Sequence, residues 1–180
     1  MINQSRKGHN YKRQIPDKAK LHFRDEVIEL NPEYADAYWK SGLAKGNLGN
    51  HKEALQNFTK AIELNPESVN AYNNRGVAKA ELNDYREAIQ DFNKAIELNS
   101  EYVNAYYNRG VAKADLSDYR GAIQDFTKAI ELNPKYAGAY ILRGGAKSSL
   151  GDIKGACLDW SKAGELGEAK AYDLIRERCN

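Results

Sequence analysis

No run of the sequence approaches the ~18 consecutive apolar residues that a membrane span requires, which excludes a transmembrane reading. The N-terminus lacks the apolar segment of a secretory signal, so the expected location is cytoplasmic unless a leader has been removed. Cysteine is scarce: Cys157 and Cys179 alone cannot build a disulfide framework. His9, His22 and His51 stand far apart, without the spacing of a metal site, and neither a metal nor any other cofactor is expected. The sequence shows no Ser/His/Asp or Cys/His arrangement and no phosphate-cradling loop, so it is not expected to be an enzyme. Nor is there an excess of one charge: 27 lysines and arginines against 25 aspartates and glutamates leave a formal net charge of +2.

What is present fits a globular but polar chain. Its 180 residues suffice to bury a core, with 42% hydrophobic and 29% charged residues. The mean hydropathy is −0.75. Charge is unevenly placed. Residues 1–20 hold Arg6, Lys7, Lys12, Arg13, Lys18 and Lys20 against the single acid Asp17, which leaves the remainder net acidic. The pI of 8.4 is thus a property of the tail and does not argue for a nucleic-acid-binding body. By composition the tail reads as disordered.

The strongest signal is self-similarity. Val69–Tyr102 and Val103–Tyr136 agree at 27 of 34 positions without a gap, and 35–68 and 137–170 align in the same register. A fixed period of this size means stacked supersecondary units, none of which can bury its apolar face alone. Counting positions from Ala35, Val69, Val103 and Ala137, position 4 is always tyrosine, 8 glycine, 10 alanine and 14 leucine, the spacing of one helix face. A break follows, in which Asn50, Asp84, Asp118 and Asp152 are expected to cap a second helix, with Glu53 and Glu87 completing capping boxes in the first two units. In that second helix, Phe58, Phe92, Phe126 and Trp160 occupy position 24 between alanines at 20 and 27. Small residues let helices approach and the ring fills the gap. Asn65-Pro66 and Asn133-Pro134 then stop the helix.

These residues resemble the tetratricopeptide repeat, whose marks are the 34-residue period with an aromatic at 4, glycine at 8, alanine at 20, an aromatic at 24 and alanine at 27. The resemblance implies an all-α, right-handed solenoid of antiparallel helix pairs, with units at 35–68, 69–102, 103–136 and 137–170. Residues 21–34 look like an orphan second helix, and 171–180 like a capping helix with a polar outer face (Arg176, Glu177, Arg178). Two positions depart consistently from the family. Position 7, often leucine, is Ser41, Arg75, Arg109 and Arg143; position 11, often tyrosine, is Lys45, Lys79, Lys113 and Lys147. Cys157, on the buried side of the last unit, and Cys179, in the cap, face a common interface; two reduced buried thiols are the expectation there.

One charge pattern goes beyond a solvated face. Position 23 is Asp91, Asp125 and Asp159 where position 7 is arginine, and Asn57 where position 7 is Ser41. Charges that come and go together predict structural ion pairs Arg75–Asp91, Arg109–Asp125 and Arg143–Asp159. The candidate binding surface lies on the other side of the first helices, the face that lines the concave groove in tetratricopeptide proteins. It offers Asp36, Trp39, Lys40 and Leu43, then Asn70, Asn73, Asn74 and Val77, then Asn104, Tyr107, Asn108 and Val111. A carboxamide can bond a peptide's N–H and C=O without reading its side chain. Asn74 and Asn108 resemble the asparagine ladder of the O-GlcNAc transferase superhelix, while Trp39 and Tyr107 are candidate anchors. The carboxylate clamp with which some family members hold chaperone tails is absent but for its middle asparagine. The expected function is therefore a protein–protein interaction scaffold that takes a peptide or helix of a partner protein in its groove. The alternatives are self-assembly into a homo-oligomer through residues 21–34, and an acidic or nucleic-acid partner held by the tail, with nucleic acid disfavoured.

Overall fold

The computed structural model describes residues 34–179. The basic tail expected over 1–20 and the orphan helix expected over 21–34 lie outside the described residues, apart from Tyr34. Among the described residues the chain is all helical and without strands: α1 (Ala35–Asn47), α2 (His51–Leu64), α3 (Val69–Glu81), α4 (Tyr85–Leu98), α5 (Val103–Asp115), α6 (Tyr119–Leu132), α7 (Ala137–Ser149), α8 (Ile153–Glu165) and α9 (Lys170–Arg178). Each helix packs against the next in chain order, which makes a tetratricopeptide-like solenoid. The first helices of successive pairs also touch one another, α1 with α3, α3 with α5 and α5 with α7, while contact of that order does not join α2, α4, α6 and α8. Elements that lie closer together form the inside of a curve. The odd-numbered helices therefore line the concave side.

Within each pair the approach of the two helices is set by a glycine and a ring. A Cβ on Gly42 would lie 2.6 Å from Phe58 Cε1, on Gly76 2.6 Å from Phe92 Cε1, on Gly110 2.7 Å from Phe126 Cε1, and on Gly144 2.5 Å from Trp160 Nε1. No side chain fits there. The ring then reaches the next pair: Phe58 packs with Ala54 and Ala78, Phe92 with Ala88 and Ala112, and Phe126 with Ala122 and Ala146. A second set of contacts joins Ala61 and Ile62 to Ala71, and Ala129 and Ile130 to Ala139. The core is thus a continuous strip running the length of the stack.

The turn between the helices of a pair is equally repetitive. Gly49, Asn83, Ser117 and Gly151 all take positive φ (79°, 66°, 63° and 84°). Each turn closes with two backbone bonds of the Schellman type; in the third, Asp118 N–H donates to Lys113 O at 2.8 Å and Ser117 N–H to Ala114 O at 2.8 Å. The expected capping of the second helices is realised only in part. Asp118 accepts from Gly121 N–H and Asp152 from Gly155 N–H, both at 2.9 Å. Asn50 and Asp84 make no such bond, so the capping boxes with Glu53 and Glu87 do not form. Where the bond to an aspartate does form, the third helical residue is glycine, and the carboxylate lies close to where a Cβ would stand; the smaller Ser68 makes its bond to Ala71 N–H at 3.3 Å beside a methyl group.

At the far end, α9 packs Ala171, Leu174 and Ile175 against Ala156, Trp160 and Ala163 of α8. Here the expectation of two free thiols is corrected: Cys157 and Cys179 form a disulfide, with Cα atoms 5.9 Å apart. The pattern at position 21 had placed both residues at one interface but carried no information on their oxidation state.

Two substitutions test these constraints. Ser117→Gly removes a side chain from a left-handed residue and is expected to raise stability by about 1 kcal/mol. Gly110→Ala forces a methyl into the Phe126 ring and is expected to cost roughly 1–3 kcal/mol. Chemical denaturation of both variants beside the wild type measures the two effects; equal midpoints would refute the assignment.

Candidate interaction face

The flank of each pair carries a charged cluster. Arg75 donates from Nε to Asp91 Oδ2 at 2.9 Å and from Nη2 to Oδ1 at 2.7 Å. Arg109 holds Asp125 at 2.9 and 2.5 Å in the same bidentate way, and Arg143 holds Asp159 at 2.9 and 2.7 Å. The three carboxylates are buried, at 3–4% exposure. A second cation completes each cluster, and sequence reasoning missed it: Lys79, Lys113 and Lys147 reach Asp91, Asp125 and Asp159 at 2.7, 2.7 and 2.8 Å. Its signal was available, since position 11 is lysine in every unit. Each guanidinium also lies 5.5 Å from the ring of the tyrosine one turn earlier, Tyr72, Tyr106 or Tyr140. The hydrogen bond to Asp91 raises the Arg75 pKa above its usual value, against burial. In the first unit the charged set is replaced by a neutral bond, Asn57 Nδ2 to Ser41 Oγ at 3.0 Å, and Lys45 turns to Glu53 at 3.3 Å. Arg109 and Arg143 further bond Asn93 at 2.7 Å and Thr127 at 3.1 Å in the preceding pair. With their donors committed in this way, these arginines join the helices of a pair and successive pairs to each other.

The concave side is built differently. Its asparagines bond to one another across and within helices: Asn108 Nδ2 of α5 donates to Asn73 Oδ1 of α3 at 3.0 Å, and Asn73 Nδ2 donates to its neighbour Asn74 Oδ1 at 3.2 Å. Asn73 is buried, at 4% exposure, whereas Asn74 and Asn108 are half-buried and Asn70 and Asn104 exposed. Asn70 accepts from Tyr102 Oη at 2.9 Å. Tyr107, a candidate anchor by sequence, is seated within the stack. It lies on Tyr136 with ring centroids 4.7 Å apart and tilts against Phe126 at 5.9 Å. Burial, aided by the charge of Glu168, raises the Tyr107 phenol pKa, and burial with the neighbouring Tyr107 pushes Tyr136 to about 12. Trp39 packs against the cores of the first two pairs, and its Nε1 is enclosed without a hydrogen-bond partner among the described residues. Asp36 and Lys40 pair with each other on α1.

Two concave hollows repeat along this face. The first, of about 300 Å³, lies between α1 and α3 and is lined by Leu43, Gly46, His51, Phe58, Val77 and Glu81, among others. The second, of about 260 Å³, lies between α5 and α7 and is lined by Val111, Ala114, Asp115, Phe126, Leu142 and Gly145, among others. Leu43 and Val111, Gly46 and Ala114, Phe58 and Phe126, and Val77 and Gly145 are equivalent positions two units apart. Sequence reasoning named the wall residues Leu43, Asn74, Val77 and Val111 but not the hollows, because their depth depends on how far each ring leaves the next pair uncovered. Among the described residues no helix is long and apolar enough to cross a membrane.

Comparison with known proteins agrees with this architecture. The family profile described as "Tetratricopeptide repeat" matches residues 69–102 and 103–136, and the profile "TPR repeat" matches residues 47–83. Among solved structures, MamA superposes with a TM-score of 0.78 at 26% identity, over 87% of this chain and 91% of that one. MamA 41-end from Desulfovibrio magneticus RS-1 gives 0.77 at 22% identity, over 83% and 85%. YrrB, described as a TPR protein with an unusual peptide-binding site, gives 0.74 at 22% identity, over 89% and 84%. No curated protein sequence matches the chain significantly.

The ion clusters can be tested by a double-mutant cycle. Arg109→Ala alone leaves Asp125 buried with Lys113 as its one remaining cation, and either single substitution is expected to cost roughly 3–5 kcal/mol. Arg109→Ala with Asp125→Ala is expected to cost less than the sum; additive losses in denaturant unfolding would refute the coupling.

Proposed function

This chain belongs to the tetratricopeptide-repeat family, and on that premise we propose that it holds an extended segment of a partner protein along the face formed by α1, α3, α5 and α7. Proteins of this family are generally scaffolds without catalytic activity of their own, and the chain is a protein–protein interaction scaffold. The observation that supports a groove ligand is the amide chain Asn108–Asn73–Asn74. Its internal bonds use the Asn108 donor, both ends of Asn73 and the Asn74 acceptor. Left over are, among others, the Asn74 Nδ2 donors and the Asn108 Oδ1 acceptor, on adjacent first helices. Such helices stand on the order of 10 Å apart, and an extended peptide advances ~3.3 Å per residue. One amide can therefore serve the backbone at about every third residue, N–H groups at one helix and C=O groups at the next. The flanking arginines contribute nothing to this reading, since their donors are taken by Asp91, Asp125 and Asp159. Assembly through residues 21–34 and an acidic partner on residues 1–20 concern segments outside the described residues, and no observation favours them.

The test is retention of partner. A wild-type affinity column is expected to retain a protein that a Trp39→Ala/Asn74→Ala/Asn108→Ala column does not. An Asn74→Ala/Asn108→Ala column should give the same loss, with circular dichroism first verifying that the variant keeps its fold, because the buried Asn73 loses both of its bonds there. Equal retention by all three columns, read by mass spectrometry, overturns the proposal.

A further inference from the structure

The two hollows and the acids beside them specify what the segment must look like. This inference rests on the groove reading above. Each hollow is floored by a position-24 ring and walled by apolar or glycine positions: Leu43 and Val77 for the first, Val111 and Leu142 for the second. Each has room for one apolar side chain. Being two units apart, they are separated by roughly 20 Å if adjacent first helices stand about 10 Å apart. An extended chain covers that distance in about five or six residues.

Between the hollows lie two carboxylates. Glu81 borders the first on the α3 side and Asp115 borders the second on the α5 side, so both acids face the space that the ligand crosses from one hollow to the other. Both are exposed, and neither pairs with a cation among the described residues. Each is also the last residue of its helix, Glu81 of α3 and Asp115 of α5. A negative charge is unfavourable there, because the helix C-terminus already carries partial negative charge. Asp36 on the same face, by contrast, is neutralised by Lys40. An unpaired acid in an electrostatically poor position, repeated beside each hollow, is the complement of a cationic ligand.

We propose that the groove binds an extended peptide segment of a partner protein in which two apolar side chains, about five or six residues apart, flank lysine or arginine. The apolar pair enters the hollows at Phe58 and Phe126. The cationic residues between them meet Glu81 and Asp115. The backbone runs past Asn74 and Asn108.

Two glycines permit a clean test. A Cβ on Gly145 meets no atom within 4 Å, and one on Gly46 comes no nearer than 3.8 Å, to Ala54 Cβ. Gly46→Leu and Gly145→Leu therefore start from a Cβ that meets no close contact and extend into the hollows, and both replace a helical glycine, so folding, checked by circular dichroism, should be retained. The probe is a peptide array in which two leucines are separated by a varied number of Gly/Ser residues, with lysine, alanine or glutamate placed between them. Wild type is expected to bind best at a separation of about five or six residues with lysine between. Each filled hollow is expected to weaken that peptide by about ten- to a hundredfold, the worth of one buried apolar side chain. Glu81→Lys/Asp115→Lys should shift the preference from lysine to glutamate. The proposal is overturned if binding is indifferent to spacing, if the filled variants bind as wild type does, if charge reversal leaves the preference unchanged, or if the array retains no protein. Loss in Asn74→Ala/Asn108→Ala without loss in the filled variants removes the motif and leaves the groove reading standing. No loss in either set removes both.

Discussion

The contact on which the structure depends is the one between a glycine in the first helix of each pair and a ring in the second. Because no Cβ stands on Gly42, Gly76, Gly110 or Gly144, the edge of Phe58, Phe92, Phe126 or Trp160 enters the first helix's own contour. That sets the helix separation within the pair. The same ring then meets the position-10 alanine of the next pair, which sets the separation between pairs. One residue per unit thus determines both spacings, and repeating it makes the solenoid regular. The hollows on the concave side follow from the same geometry, since they open where successive first helices are held apart above the buried rings of Phe58 and Phe126.

Packing of this kind is legible in a sequence because it demands particular residue sizes at fixed intervals. Glycine at position 8, alanine at 10, 20 and 27 and the ring at 24 read directly as two helices with a shared face. The turn chemistry was legible too, although Asn83 and Ser117 take the left-handed conformation where Gly49 and Gly151 would be the easy choice. Less legible were interactions decided by small displacements. The capping glutamates illustrate this: Glu53 and Glu87 stand at the right spacing, yet the bonds form from Gly121 and Gly155, and from Ala71 to Ser68.

The charged and polar residues divide by a similar logic. Arginines and aspartates that vanish together could be matched from the sequence, because a buried charge without a partner is costly. The lysines that complete each cluster could be noticed from their constancy at position 11, but a constant residue gives no covariation that names its partner. On the concave side the amides of Asn73, Asn74 and Asn108 could be placed on one face, but not their mutual bonds, which depend on side-chain direction across two helices. Tyr107 shows the same limit. Its position placed it on the first-helix face, but its stacking on Tyr136 depends on the direction of the side chain, which the register does not give.

The bond between Cys157 and Cys179 gives this otherwise modular chain a polarity. In a solenoid each unit leans only on its neighbours, so disorder enters from the ends and spreads inward. Here the final helix is clipped to the pair before it by a covalent loop of 22 residues, and fraying at that terminus is held back. Detaching α9 from α8 therefore leaves the two still tethered under oxidising conditions, and the lost contacts can re-form without a new encounter; under reducing conditions that tether is gone.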